Sequence, residues 1–277
     1  GSAAELSVAV GCATEESGDL HTQDADGILG LSRSPLSIHS QLVAQGGLED
    51  VFALCLGAGT QEAREGYLVL GGSGLDAAEA EPVWVPLSGS SEDHFYRLPL
   101  AEVTVLGPQG SQAQIGVPPS GAILDSGTTY TYLEPALYEA FRDSVLGAAQ
   151  PELALVTPHN VCWEAPATPA GAGGRPRWED LADHFPEVVL GFEVLKDGAG
   201  TAAQVRFRPQ NYLFWHPDAH AQVCLGVFSA GRVGGDSILG GVMMRDMLVV
   251  FDKGGSRVGF APASCGGGGS PGGGGAL

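Results

Sequence analysis

The segment Ala122-Ile-Leu-Asp-Ser-Gly-Thr-Thr-Tyr sets a carboxylate directly after an apolar run and before a glycine. The aspartate there, Asp125, is expected at a strand end, held by the sheet while its side chain projects from it. Ser126 and Thr128 supply hydroxyls able to bond neighbouring groups, and Gly127 permits a tight turn with close backbone approach. Asp-Ser-Gly is also ordinary turn chemistry, and on the tripeptide alone a turn cap is the favoured account. The chemistry open to such a carboxylate is general acid–base work, and two carboxylates sharing a proton would supply a base and an acid together. Repulsion within such a pair separates the two pKa values and keeps one acid protonated at mildly acidic pH. A lone aspartate cannot run that cycle.

Other catalytic patterns are not found. There is no Gly-x-Ser-x-Gly nucleophile elbow and no His-Glu-x-x-His. His216 and His220, four apart beside Pro217, read as a polar loop rather than a metal site, so no metal is expected. Gly71-Gly72 lacks any phosphate-loop context, which leaves nucleotide binding unsupported.

The elements that must position Asp125 are mostly strands. Val188, Leu190, Phe192 and Val194 alternate with other residues, as do Val205 and Phe207 with Arg206 and Arg208. Leu248 to Phe251 is a continuous apolar run, expected of a strand covered on both faces. Further strand patterns lie at 6–10, 51–56, 67–70, 83–87, 96–105 and 122–124. Three helices are predicted. One runs over 35–44 with Ser34 as N-cap and Pro35 in the first turn. A second spans 134–146 with Leu137, Phe141 and Val145 in a stripe, and a short third carries Trp178, Leu181, Ala182 and Phe185. The 43 glycines and 18 prolines suit many short strands and turns. The fold class is all-β with a few short helices.

Asp-Ser-Gly-Thr-Thr after an apolar triplet and before a Pro-initiated helix at Pro135 resembles the catalytic loop of the pepsin-like aspartic peptidases. Ser237-Ile-Leu-Gly-Gly-Val-Met-Met-Arg-Asp-Met-Leu-Val-Val-Phe-Asp-Lys and Arg257-Val-Gly-Phe-Ala resemble that family's C-terminal signature. Asp26-Gly-Ile-Leu-Gly-Leu, Pro35-Leu-Ser and Ser40-Gln-Leu are similar to the close of its first lobe. Tyr67-Leu-Val-Leu-Gly-Gly and Val83-Trp-Val-Pro-Leu resemble the run into the second. Val161-Cys-Trp and Cys224-Leu-Gly resemble the nepenthesin-like and beta-secretase-like branches.

The resemblance implies a bilobal fold, with residues 1–88 closing the first lobe, 89–265 forming the second, and 266–277 a flexible Gly-rich tail. It implies that Asp125 is the second catalytic carboxylate, and that the Ile238-Leu239-Gly240 strand threads through its loop. Thr128 matches the hydroxyl that bonds the aspartate's outer oxygen. Ser126 matches the residue locking the two loops together, a role weighed equally with that of a satisfied turn hydroxyl. It implies disulfides between Cys162 and Cys224 and between Cys55 and Cys265, leaving Cys12 over. The family carries one Asp-Thr/Ser-Gly loop per lobe, yet the 277 residues hold one. The first loop and the flap tyrosine are therefore expected upstream of Gly1. The implied activity is acid endoproteolysis of extended polypeptide without a cofactor. The alternative is a non-catalytic, peptidase-derived binding or scaffolding protein.

Composition bounds the partners. Thirteen Lys and Arg against 32 Asp and Glu give a formal charge of −19, which repels nucleic-acid phosphates and anionic lipids. No apolar stretch reaches 18 residues, so no membrane span is expected. The five cysteines lie far apart without a Cys-x-x-Cys pair, which favours an oxidising, secretory route, extracellular or vacuolar, with a plastid location also open.

Overall fold

The computed structural model describes residues 6–15, 26–58, 66–72, 80–90, 92–116, 121–151, 153–157, 161–166, 176–196, 199–219, 221–231 and 235–265. The elements begin with α1 (Ile38–Ala44), β1 (Val51–Leu56), β2 (Gly66–Leu70), β3 (Val83–Pro86), β4 (Tyr96–Leu98), β5 (Leu100–Leu106) and β6 (Gln112–Gly116). Next come β7 (Ala122–Asp125), β8 (Thr131–Leu133), α2 (Pro135–Ala148), β9 (Leu155–Thr157), β10 (Cys162–Glu164), α3 (Trp178–Leu181) and β11 (Glu187–Lys196). The last are β12 (Ala199–Phe207), β13 (Leu213–Trp215), β14 (Gln222–Leu225), β15 (Val227–Ser229), β16 (Ser237–Gly240), β17 (Met247–Asp252) and β18 (Arg257–Pro262).

Four sheets result. The sheet that carries Asp125 has the order β15-β8-β16-β7-β4, and another, β2-β1-β17-β18-β3, knits residues 51–86 to residues 247–262. The remaining two run β12-β11-β5-β6 and β13-β14-β10-β9. In β17 every residue from Met247 to Phe251 is buried, as its unbroken apolar run requires of a strand between two neighbours. On β12 Val205 and Phe207 face the core while Arg206 faces out, so the alternation sets that register. One continuous apolar core runs from Phe52 and Phe251 through Leu124, Phe141 and Leu239 to Phe192 and Phe260.

Helix α2 starts where expected, because Pro135 occupies the first turn and the Glu134 carboxylate accepts the N–H groups of Ala136 and Leu137 at 3.1 and 3.4 Å. Leu137, Phe141 and Val145 form its buried face.

The sequence expectation for α1 is displaced. Ser34 and Pro35 lie in a turn closed by the Ser37 N–H to Ser34 O bond, and Ser37 rather than Ser34 caps the helix through the Ser40 N–H. The strand expected over 96–105 is two strands in different sheets, since Pro99 has no N–H to continue the ladder. Residues 6–10 form no strand; Ser7 and Ala9 instead bond the side chains of Gln45 and Gln41 on α1. The third helix is a single turn ending at Leu181, and the chain continues to Phe185 in turns closed by the Ala182 N–H to Glu179 O and Phe185 N–H to Leu181 O bonds. Phe185 is still fully buried.

Two disulfides are present. Cys162 and Cys224 face each other across β10 and β14, and Cys55 on β1 bonds Cys265 beyond β18. Cys12 is free and exposed. Residues 266–277 and His220 lie outside the described residues.

A polar knot joins α1 to the end of β17. His39 is wholly buried, with Nε2 3.1 Å from Val51 O, so the hydrogen sits on Nε2 and Nδ1 faces Lys253 Nζ at 3.3 Å. Lys253 also donates to Ser40 Oγ at 2.6 Å and lies 3.2 Å from Asp50. Burial, reinforced by the Lys253 ammonium, lowers the His39 pKa below its ordinary 6.5. The unfolded chain then binds the extra proton first. The stability this neutral ring confers is complete above pH 6.5 and drains away as pH falls through the lowered value. Urea midpoints measured between pH 7 and pH 4 should fall less steeply for His39→Gln than for the parent. Parallel curves would show that the ring does not titrate in this way.

Candidate active site

Asp125 is the last residue of β7, and its loop returns to the sheet as β8. β16 lies between those two strands. It runs parallel to β7, with Ile238 beside Ile123 and Gly240 beside Asp125, and pairs antiparallel with β8 at Ile238 and Tyr132. The Ile-Leu-Gly strand therefore passes through the Asp125 loop.

Backbone bonds hold the two in place: Gly241 N–H to Thr128 O at 2.7 Å and Val242 N–H to Thr129 O at 3.0 Å. The Gly240 N–H reaches Thr131 Oγ1 at 3.2 Å. Gly240 itself lies against the loop; a Cβ there would overlap Tyr130 O and sit 2.7 Å from Thr128 O. Only glycine fits.

Each oxygen of the half-buried Asp125 carboxylate has a donor. Gly127 N–H lies 3.0 Å from Oδ1, and Thr128 Oγ1 lies 2.6 Å from Oδ2. Both fix its orientation, and charge-assisted bonds of this kind are among the stronger ones. Ser126 is exposed at the mouth of the same loop, and its hydroxyl has no side-chain partner among the described residues. Thr128→Val keeps the shape and removes one of these donors. It should lower unfolding free energy by about 1.5 kcal/mol, with Thr128→Ser close to the parent in a urea titration.

The carboxylate opens onto a cleft of about 410 Å³. Asp125, Ser126 and Gly127 form one wall, residues 28–32 another, and His94, Phe95 and Tyr96 a third. The Tyr96 hydroxyl donates to Leu31 O at 2.7 Å, and Arg33 N–H donates to His94 O at 3.0 Å, so the 28–33 segment is held against β4. Ile28 and Leu29 of the first Ile-Leu-Gly are 81% and 57% exposed and belong to no strand.

The sequence reading missed Phe95 and Tyr96 as cleft residues. Their place depends on the break at Pro99 and on the hydrogen bond to Leu31, neither of which leaves a local signature. His216 Nδ1 accepts the N–H groups of Asp218 and Ala219 at 3.2 and 3.1 Å, so that ring caps its own loop.

The chain matches the family described as Xylanase inhibitor C-terminal over residues 95–262, and the one described as Xylanase inhibitor N-terminal over residues 1–72. It belongs to this xylanase inhibitor family of pepsin-like aspartic peptidase folds. Its mostly-β architecture is the bilobal one of that family. Among proteins similar to it is aspartic proteinase nepenthesin-1 of Nepenthes gracilis, 27% identical over 96% of this chain and 56% of that protein. An aspartic proteinase of Oryza sativa subsp. japonica is 27% identical over 87% and 56%. Aspartyl protease family protein 2 of Arabidopsis thaliana is 29% identical over 93% and 49%. The chain spans about half the length of these relatives. Its two disulfides fit an oxidising secretory or vacuolar route, and no helix among the described residues is long and apolar enough to cross a membrane.

Proposed function

We propose that this chain is part of an aspartic endopeptidase of the nepenthesin-like branch, cleaving extended polypeptide at acidic pH. Asp125 is the second carboxylate of the pair. Its partner comes from polypeptide outside these 277 residues, upstream of Gly1. In that assembly one carboxylate draws a proton from a water while the other, protonated, donates to the scissile carbonyl oxygen. Gly127 and Thr128 keep the Asp125 oxygens aimed at the cleft, and Ser126 meets the opposing loop. Residues 1–88 serve as the closing part of the first lobe and 89–265 as the second, with the substrate lying between them.

The observation that carries this reading is the doubly bonded Asp125 carboxylate at the edge of a cleft whose opposite wall is the 28–32 segment. The test is acid cleavage of a denatured protein by the protein with its upstream polypeptide, blocked by a statine-type peptide.

A second reading has its own support, since both matching families are described as xylanase inhibitors. On that reading the same cleft binds a protein partner and hydrolyses nothing. The coding sequence upstream of Gly1 discriminates: an apolar triplet followed by Asp-Thr/Ser-Gly supports the peptidase, and an upstream segment without it supports the binding protein.

A further inference from the structure

A second cleft, of about 360 Å³, shares no lining residue with the one at Asp125. Its floor holds Trp178 and Trp215, whose rings sit 5.3 Å apart at a tilt of 40°. Trp178 is pinned by its Nε1–H, which donates to Ala58 O at 2.6 Å. Around the rings stand Arg177, Arg206 and Arg208, three of only 13 basic residues in a chain of net charge −19.

Their states differ. Arg177 is engaged by Asp180 at 3.4 Å, and Arg206 meets Glu187 at 3.1 Å in an exposed, weak pair. Arg208 directly follows β12, so the alternation that buries Val205 and Phe207 sends Arg206 and Arg208 out on one face. The Arg208 guanidinium has no ion pair among the described residues. The position is fixed from behind. Asn211 Oδ1 accepts the Arg208 N–H at 2.9 Å, while its amide donates to Arg245 O at 2.6 Å and Met243 O at 3.2 Å. The two acids in the lining face partners in the same cleft: Glu179 lies 4.0 Å from Arg177 in an exposed pair, and Asp246 accepts the Ala58 N–H at 3.2 Å.

An arginine without an ion pair among the described residues, beside two tryptophan rings, is the kind of combination that anchors protein interfaces, where Trp and Arg are enriched at the hot spots. In a chain of net charge −19, three arginines around one cleft give an acidic segment a local reason to bind there. We propose that this cleft is a binding site for an acidic stretch of polypeptide, one carboxylate on Arg208 and the adjoining apolar side chain on Trp178 and Trp215. It is separate from the Asp125 cleft and does not depend on hydrolysis.

The test uses the 277-residue chain and a fluorescein-labelled octapeptide of alternating glutamate and phenylalanine, read by fluorescence anisotropy at low salt. Saturable binding is expected, weakened about tenfold or more by Arg208→Glu and by glutamine in place of the peptide's glutamates. Arg142→Glu, on α2 and outside the lining of this cleft, should bind like the parent. Because Arg208 is exposed, its variant should melt at the parental temperature; the all-glutamine peptide gives the same answer with no change to the protein. Equal affinity for the glutamine peptide, equal binding by Arg208→Glu, or no binding by the parent would overturn the site. Oligogalacturonate bound in an Arg208-dependent way, with the peptide ignored, would overturn the polypeptide assignment.

Discussion

Asp125→Asn should reduce kcat/KM for acid proteolysis by about a thousandfold or more in the protein that carries both carboxylates, with KM nearly unchanged. An amide at this position can accept the Gly127 N–H through its oxygen and donate its own N–H to the Thr128 hydroxyl, so the loop keeps its shape and the loss is chemical rather than structural. The amide cannot share a proton with an opposing acid, and the water then has no base. The split between kcat and KM is the informative part. A parallel rise in KM would mean that the substitution disturbed the cleft, and activity that survives it would assign the hydrolysis to another group. A chain acting only as a binding protein would retain its partner affinity in the Asn variant.

Gly240→Ala is expected to be the most damaging single methyl that can be added to this sheet. The new Cβ would meet the carbonyls of Thr128 and Tyr130, both backbone, so no rotamer change can relieve the contact. Either β16 leaves its place between β7 and β8, breaking the Gly240–Asp125 register, or the Asp125 loop moves outward. The loss of stability should be about 3 kcal/mol or more, at the upper end of what overpacking costs. Thermal unfolding measures it. Gly116→Ala provides the control, because a Cβ there meets nothing within 4 Å. Equal melting of the two variants would remove the argument that β16 locks the loop.

Much of this design was legible as residues in a row. The Asp125 loop and its glycine, Pro135 as a helix start, and the unbroken apolar run of β17 each announce a local conformation. The disulfide pairs followed from family resemblance, since spacing alone leaves connectivity open. What could not be read depends on partners far away in the chain. Ser34 and Ser37 are equally good caps until the Ser34–Ser37 turn chooses between them. Residues 6–10 have strand-like alternation yet bond two glutamines of α1 instead of a sheet. His39 and Lys253 meet across 214 residues, and Arg208 and Trp178 share one cleft only because the end of β12 and the start of α3 line it. Periodicity carries no record of such meetings.

The sheet β2-β1-β17-β18-β3 has an implication for how the molecule is made. β1 leaves the ribosome well before β17, and the edge it offers to that strand stays open until residue 252 has emerged. Throughout that interval of synthesis, Phe52 and Leu54 belong to an unpaired border that neighbouring nascent chains could capture. The Cys55–Cys265 bond can close only after the wait, so oxidation at this pair would report that the last sheet has zipped.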